Sequence, residues 1–107
     1  MIQVTYYKAY NRVTIKGHAL SGVPGHDLVC AGASTLAYTL AANVGRMEDM
    51  CLIDDALVVL EPGSAEIRCV TGRECAAIVE AIFDTVCVGF ELLAMDHHEY
   101  ICYEIHQ

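Results

Sequence analysis

The chain has 107 residues, of which 55% are hydrophobic, and it carries 14 acidic against 6 basic side chains for a net charge of −8. That length supports one core, so residues 1–107 read as a single domain, and the apolar excess calls for burial in that core or against a second copy, which makes a homodimer plausible. The acidic balance argues against nucleic acid as a direct ligand and suits a basic protein or peptide partner, although acidity also serves simply to keep an apolar small protein in solution.

The N-terminal run Met1-Ile2-Gln3-Val4-Thr5-Tyr6 lacks the basic and apolar regions of a secretion signal, and a cytoplasmic location is expected. The six cysteines, at 30, 51, 69, 75, 87 and 102, show no C-x-x-C spacing and lie mostly in apolar runs. They read as free thiols of a reducing compartment.

Ile2 to Tyr10 is rich in β-branched and aromatic residues, Asn11-Arg12 can turn, and Val13 to Lys16 alternates again, so a first hairpin is predicted. Ala19 to Asp27, with Gly22, Pro24 and Gly25, is a loop by composition. Asp27 is a good N-cap for a helix from Leu28 to about Val44 with Gly45 as its stop. No charge occurs from Leu28 to Gly45, about the minimum length that spans a bilayer. Ser34, Thr35, Tyr38, Thr39 and Asn43 argue instead for a buried central helix and no membrane.

Ala56 to Leu60, the turn Glu61-Pro62-Gly63 and Ala65 to Val70 read as a second hairpin. Thr71 can cap a second helix from about Gly72 to Met95, with Glu74 at the capping-box position. Arg73, Glu80, Asp84 and Glu91 fall in one narrow stripe of that helix and the rest is apolar, so it should be covered on most sides. Tyr100 to Ile105 forms the last strand. The order ββαββαβ predicts an α/β (α+β) domain of two layers, two helices packed on a mixed sheet of about five strands.

Cys30 is the first candidate for chemistry. As the third residue of a helix capped at Asp27 it would sit beside unpaired backbone N–H groups, which favour an anionic sulfur, the reactive form of cysteine, and can also hold an oxyanion. The plainer reading is a small apolar core residue. His18, at the end of a strand and separated from Cys30 by a glycine-rich loop, could reach the thiol as a general base, or bond a backbone carbonyl. His26 ranks second as the base, because a cap at Asp27 would turn it outward. Asp27 could orient the histidine, yet capping explains it fully. Ser34, one turn after Cys30, could support the nucleophile or bond the carbonyl four residues back. Gly22, Pro24 and Gly25 would let the loop move over a peptide, or merely make a turn.

His97-His98 with Glu99, Cys102 and His106 matches no standard zinc spacing and reads as a solvated turn, so no metal is expected. Neither a P-loop nor a dinucleotide fingerprint occurs.

The run Gly17-His18-Ala19, a glycine-containing loop and then Gly25-His26-Asp27-Leu28-Val29-Cys30-Ala31-Gly32-Ala33-Ser34 closely resembles the ribosomal-processing cysteine protease family Prp. The resemblance is strong over residues 17–34 and compatible elsewhere. It implies that His18 is the general base and Cys30 the nucleophile, that no cofactor is used, and that the chain is a small α/β homodimer with a mobile loop over its site. It further implies a substrate: a short N-terminal extension, ending in aromatic residues and an alanine, removed from large-subunit ribosomal protein twenty-seven in support of ribosome assembly. Two rival readings stand beside it. One is a binding module or assembly factor that clamps a ribosomal protein's N-terminus without turnover. The other is a thiol redox sensor pairing Cys30 with a second cysteine.

Overall fold

The computed structural model describes residues 1–17 and 26–107, with His26 described by its backbone alone. Strand β1 (Ile2–Tyr7) passes through a 3-10 turn at Lys8–Tyr10 into β2 (Arg12–Lys16), and Asn11 takes the left-handed conformation that closes this hairpin. Helix α1 (His26–Asp49) follows, then the hairpin β3 (Asp55–Glu61) and β4 (Ser64–Val70), helix α2 (Ala76–Asp96) and strand β5 (Ile101–His106). The strands form one mixed sheet in the order β3-β4-β2-β1-β5. Only the β1–β5 pair is parallel. The two-layer α+β arrangement expected from the element order is the one observed.

Strand alternation decides which face the helices cover. Ile2, Val4, Tyr6, Val13, Ile67 and Ile101 are all buried, at register positions that share one face. They meet Val29, Ala33, Leu40 and Val44 from α1 and Val79, Phe83 and Phe90 from α2 in a single cluster. Each fully buried side chain of this size stabilises by roughly 1.5–3 kcal/mol relative to exposure. The Tyr6 hydroxyl, carried into this layer, donates to Asp84 Oδ1 at 2.8 Å, and Lys8 bridges Glu80 and Asp84 at 3.3 and 3.4 Å. Two members of the charged stripe predicted on α2 therefore hold the end of β1 and the turn that follows it to that helix.

Several expected boundaries move. Helix α1 starts at His26, so Asp27 is its second residue and not the cap, and its charge lies in the first turn where the helix dipole favours it. At the other end the helix runs through Gly45, since Met47, 3% exposed, docks in the core one half-turn later. That burial outweighs the roughly 1 kcal/mol that glycine costs inside a helix. Cys51, at φ +58°, ends it instead: Leu52 N–H reaches the Met47 carbonyl at 2.9 Å and Cys51 N–H reaches that of Glu48 at 3.1 Å, the Schellman pattern.

Thr71 does not cap α2. Its hydroxyl donates to the Leu52 carbonyl at 3.0 Å, and the helix is entered through a 3-10 turn at Arg73–Cys75, with Glu74 in that turn. Neither helix is covered as fully as expected. Outward residues Thr35 and Thr39 of α1 return their hydroxyls to carbonyls four residues back, at 2.8 and 2.7 Å. On α2 an entire apolar stripe stays exposed, including Val88 and Leu92 at 53% and 56%. None of the six cysteines forms a disulfide, and Cys69 and Cys87 lie in the core while Cys51 is exposed.

Candidate active site

Helix α1 descends onto the sheet beside the end of β2, and a cavity of about 600 Å³ opens there. One wall is the first half of α1, contributing Cys30, Ala33, Ser34, Ala37 and Tyr38. The opposite wall is the tip of the β3–β4 hairpin, from Leu60 to Ala65, and Ile2, Ile15 and Gly17 complete the lining.

The tip has the sequence of a type II turn, with Pro62 presetting φ at its second position and Gly63 supplying φ +73° at its third. Pairing of β4 with β2 through Ile15–Ala65 and Lys16–Ser64 brings this distant hairpin beside α1. Gly17 N–H then bonds the Gly63 carbonyl at 3.0 Å, and Lys16 Nζ donates to Ser64 Oγ at 2.7 Å.

Cys30 is the fifth residue of α1, two later than expected, and partly exposed. Its own N–H falls within the first intrahelical bond, while the N–H groups before it have no partner in the helix. Helical side chains lean toward the N-terminus, so the sulfur lies over that first turn. Ser34 lines the same cavity one turn further on, as the spacing predicts. Asp27 is exposed in the first turn and is not among the lining residues. His26 opens the helix and is not expelled from it, so the reason for ranking it second is lost. Its side chain, and with it His18, Gly22, Pro24 and Gly25, lies outside the described residues.

Burial distinguishes the other thiols. Desolvation pushes the Cys87 thiol up to about 12 and that of Cys69 up to about 11, from an ordinary 9.0, which keeps both as neutral packing groups at physiological pH. Neither faces the cavity. Among the described residues no cluster of three or more His, Cys, Asp or Glu side chains is placed to hold a metal ion. His97 and His98 lie between α2 and β5 as a turn, His98 exposed.

Sequence reasoning missed the hairpin wall and Tyr38 as parts of the site. The Pro62-Gly63 turn is visible in the sequence, but its position beside Cys30 follows only from the β4–β2 pairing, which no local pattern announces.

The family model described as Cysteine protease Prp matches residues 1–102. SMU.848 from Streptococcus mutans is similar at 27% identity and a TM-score of 0.69, covering 98% of this chain and 93% of that one. The ribosomal processing protease Prp from S. aureus with a covalently linked product peptide aligns at 25% identity and a TM-score of 0.69, over 98% of this chain and 97% of that one. The same protease in complex with a substrate peptide gives 22% identity and a TM-score of 0.70 over the same shares, a likeness of fold. No curated protein matches.

Proposed function

The chain belongs to the cysteine protease Prp family, and we propose that it is a cysteine endopeptidase that removes the N-terminal extension of large-subunit ribosomal protein twenty-seven. The observation that carries this reading is the partly exposed Cys30 in the first turns of α1, on the wall of a cavity large enough for several peptide residues.

In the proposed mechanism His18 takes the Cys30 proton, and the thiolate attacks the scissile carbonyl carbon. Backbone N–H groups of the first turn of α1, which helix geometry leaves without an intrahelical acceptor, stabilise the oxyanion of the tetrahedral intermediate. Its collapse breaks the C–N bond, His18 returns the proton to the leaving amine, and a thioester remains on Cys30. Water, deprotonated by His18, hydrolyses that thioester and restores the thiol. Ser34 borders the nucleophile as a supporting group, Asp27 complements the helix start, and the loop bearing Gly22, Pro24 and Gly25 closes over the peptide. An acidic enzyme gains long-range attraction for a basic ribosomal protein, consistent with a cytoplasmic role in ribosome assembly.

We also propose a homodimer through α2. Ile78, Ala81, Thr85, Val88, Leu92 and Met95 are all exposed and recur at alternating intervals of three and four, the spacing of a helix-pairing seam. Incubating the protein with the extension peptide and identifying the products by mass spectrometry tests the peptidase reading. Two fragments support it, and an intact peptide that nevertheless binds would favour the clamp.

A further inference from the structure

Among the described residues that line the cavity, Glu61 is the sole lysine, arginine, aspartate or glutamate. It ends the edge strand β3 at the hairpin tip and is exposed there. Its register partner Ser64 already receives the Lys16 ammonium on its hydroxyl at 2.7 Å. The ion pairs between described residues engage Glu66, Glu80 and Asp84, Glu104 faces the His106 imidazole, and Glu61 takes part in none of these contacts. Across the cavity the Tyr38 ring is 61% exposed, on α1. From Cys30 to Tyr38 the helix rises by about 12 Å, the reach of roughly three to four residues of extended peptide.

We infer that Glu61 is a specificity-determining residue: its carboxylate reads a lysine or arginine side chain of a peptide lying along this cavity. The exposed Tyr38 ring offers a face for the cation or its alkyl stem, and Ile15, Ala37 and Leu60 accept an apolar neighbour. This rests on the proposed function for the occupant being a peptide. The assignment goes further in naming one carboxylate, and not the diffuse charge of an acidic chain, as the discriminating group.

The experiment separates recognition from bond cleavage. The fluorescent N-terminal peptide of ribosomal protein twenty-seven, and a copy with norleucine for each lysine and citrulline for each arginine, are titrated by anisotropy into the Cys30→Ala protein. The same pair is titrated into that protein carrying Glu61→Gln, or Glu48→Gln, which removes an equal charge at the far end of α1. The expected result is that Glu61→Gln lowers the preference for the cationic peptide about three- to fivefold, the size of an exposed ion pair, while Glu48→Gln does not. Equal ratios in the two variants, or no measurable binding of either peptide, would overturn the inference. Glu61-dependent discrimination by a wild-type protein that never cleaves would keep it and remove the peptidase reading. Cleavage with no Glu61-dependent ratio would do the reverse.

Discussion

Gly17 donates its N–H to the carbonyl oxygen of Gly63 across 3.0 Å, and both hold positive φ angles, +100° and +73°. One hydrogen bond thus fastens the end of β2, where the chain leaves the sheet toward Cys30, to the hairpin tip that forms the opposite wall of the cavity. A side chain at position 17 would collide with the Met1 carbonyl oxygen. Gly17→Ala should therefore cost roughly 2–4 kcal/mol, from left-handed strain plus displacement of the N-terminal strand. Gly63→Ala should lose at least about 1–2 kcal/mol from left-handed strain. Urea unfolding checks both; a Gly17→Ala protein as stable as wild type would contradict the packing described.

Cys51 ends α1 in a conformation that glycine adopts without cost. Cys51→Gly should be more stable than Cys51→Ala by about 1 kcal/mol, since alanine keeps the strain that glycine removes. Thermal unfolding of the two variants measures the difference, and equal melting temperatures would count against it.

Alkali should weaken the fold. Burial holds Cys69 and Cys87 protonated up to about 11 and 12, whereas the same thiols ionise near 9.0 in the unfolded chain. Between those values the folded state binds more protons, so stability is complete below pH 9 and declines as pH rises toward 12. The buried Tyr6 hydroxyl, raised by desolvation and by Asp84, acts in the same direction. The urea midpoint should fall between pH 8 and pH 10 in wild type and fall less in Cys87→Ala; a flat profile would remove the argument.

Sedimentation velocity tests the exposed stripe of α2. Wild type should sediment as a dimer, and Val88→Asp with Leu92→Asp as a folded monomer, because two carboxylates facing their copies across a helix seam oppose closure. A dimer that persists with both charges would place the interface elsewhere.

What was legible in the sequence followed from period and punctuation. Alternation marked the strands, Pro62-Gly63 marked the second hairpin, and the residues before Cys30 marked its place near the start of a helix. Helix ends were less legible because tertiary contacts overrode local signals: Met47 in the core carried α1 past Gly45, and the Leu52 carbonyl drew the Thr71 hydroxyl away from capping. The far wall of the cavity was not legible at all. Leu60 and Glu61 stand some 30 positions from Cys30 in sequence, and strand order alone makes them neighbours of that helix.

The central claim, that Cys30 attacks a peptide bond, is tested most directly by cleavage of the extension peptide with Cys30→Ala beside wild type, His18→Ala and Cys51→Ala. The account predicts that Cys30→Ala and His18→Ala each lose about a thousandfold or more in kcat/KM, while Cys51→Ala, which removes an exposed thiol outside the cavity, cleaves as wild type does. Cleavage that survives in Cys30→Ala would contradict it.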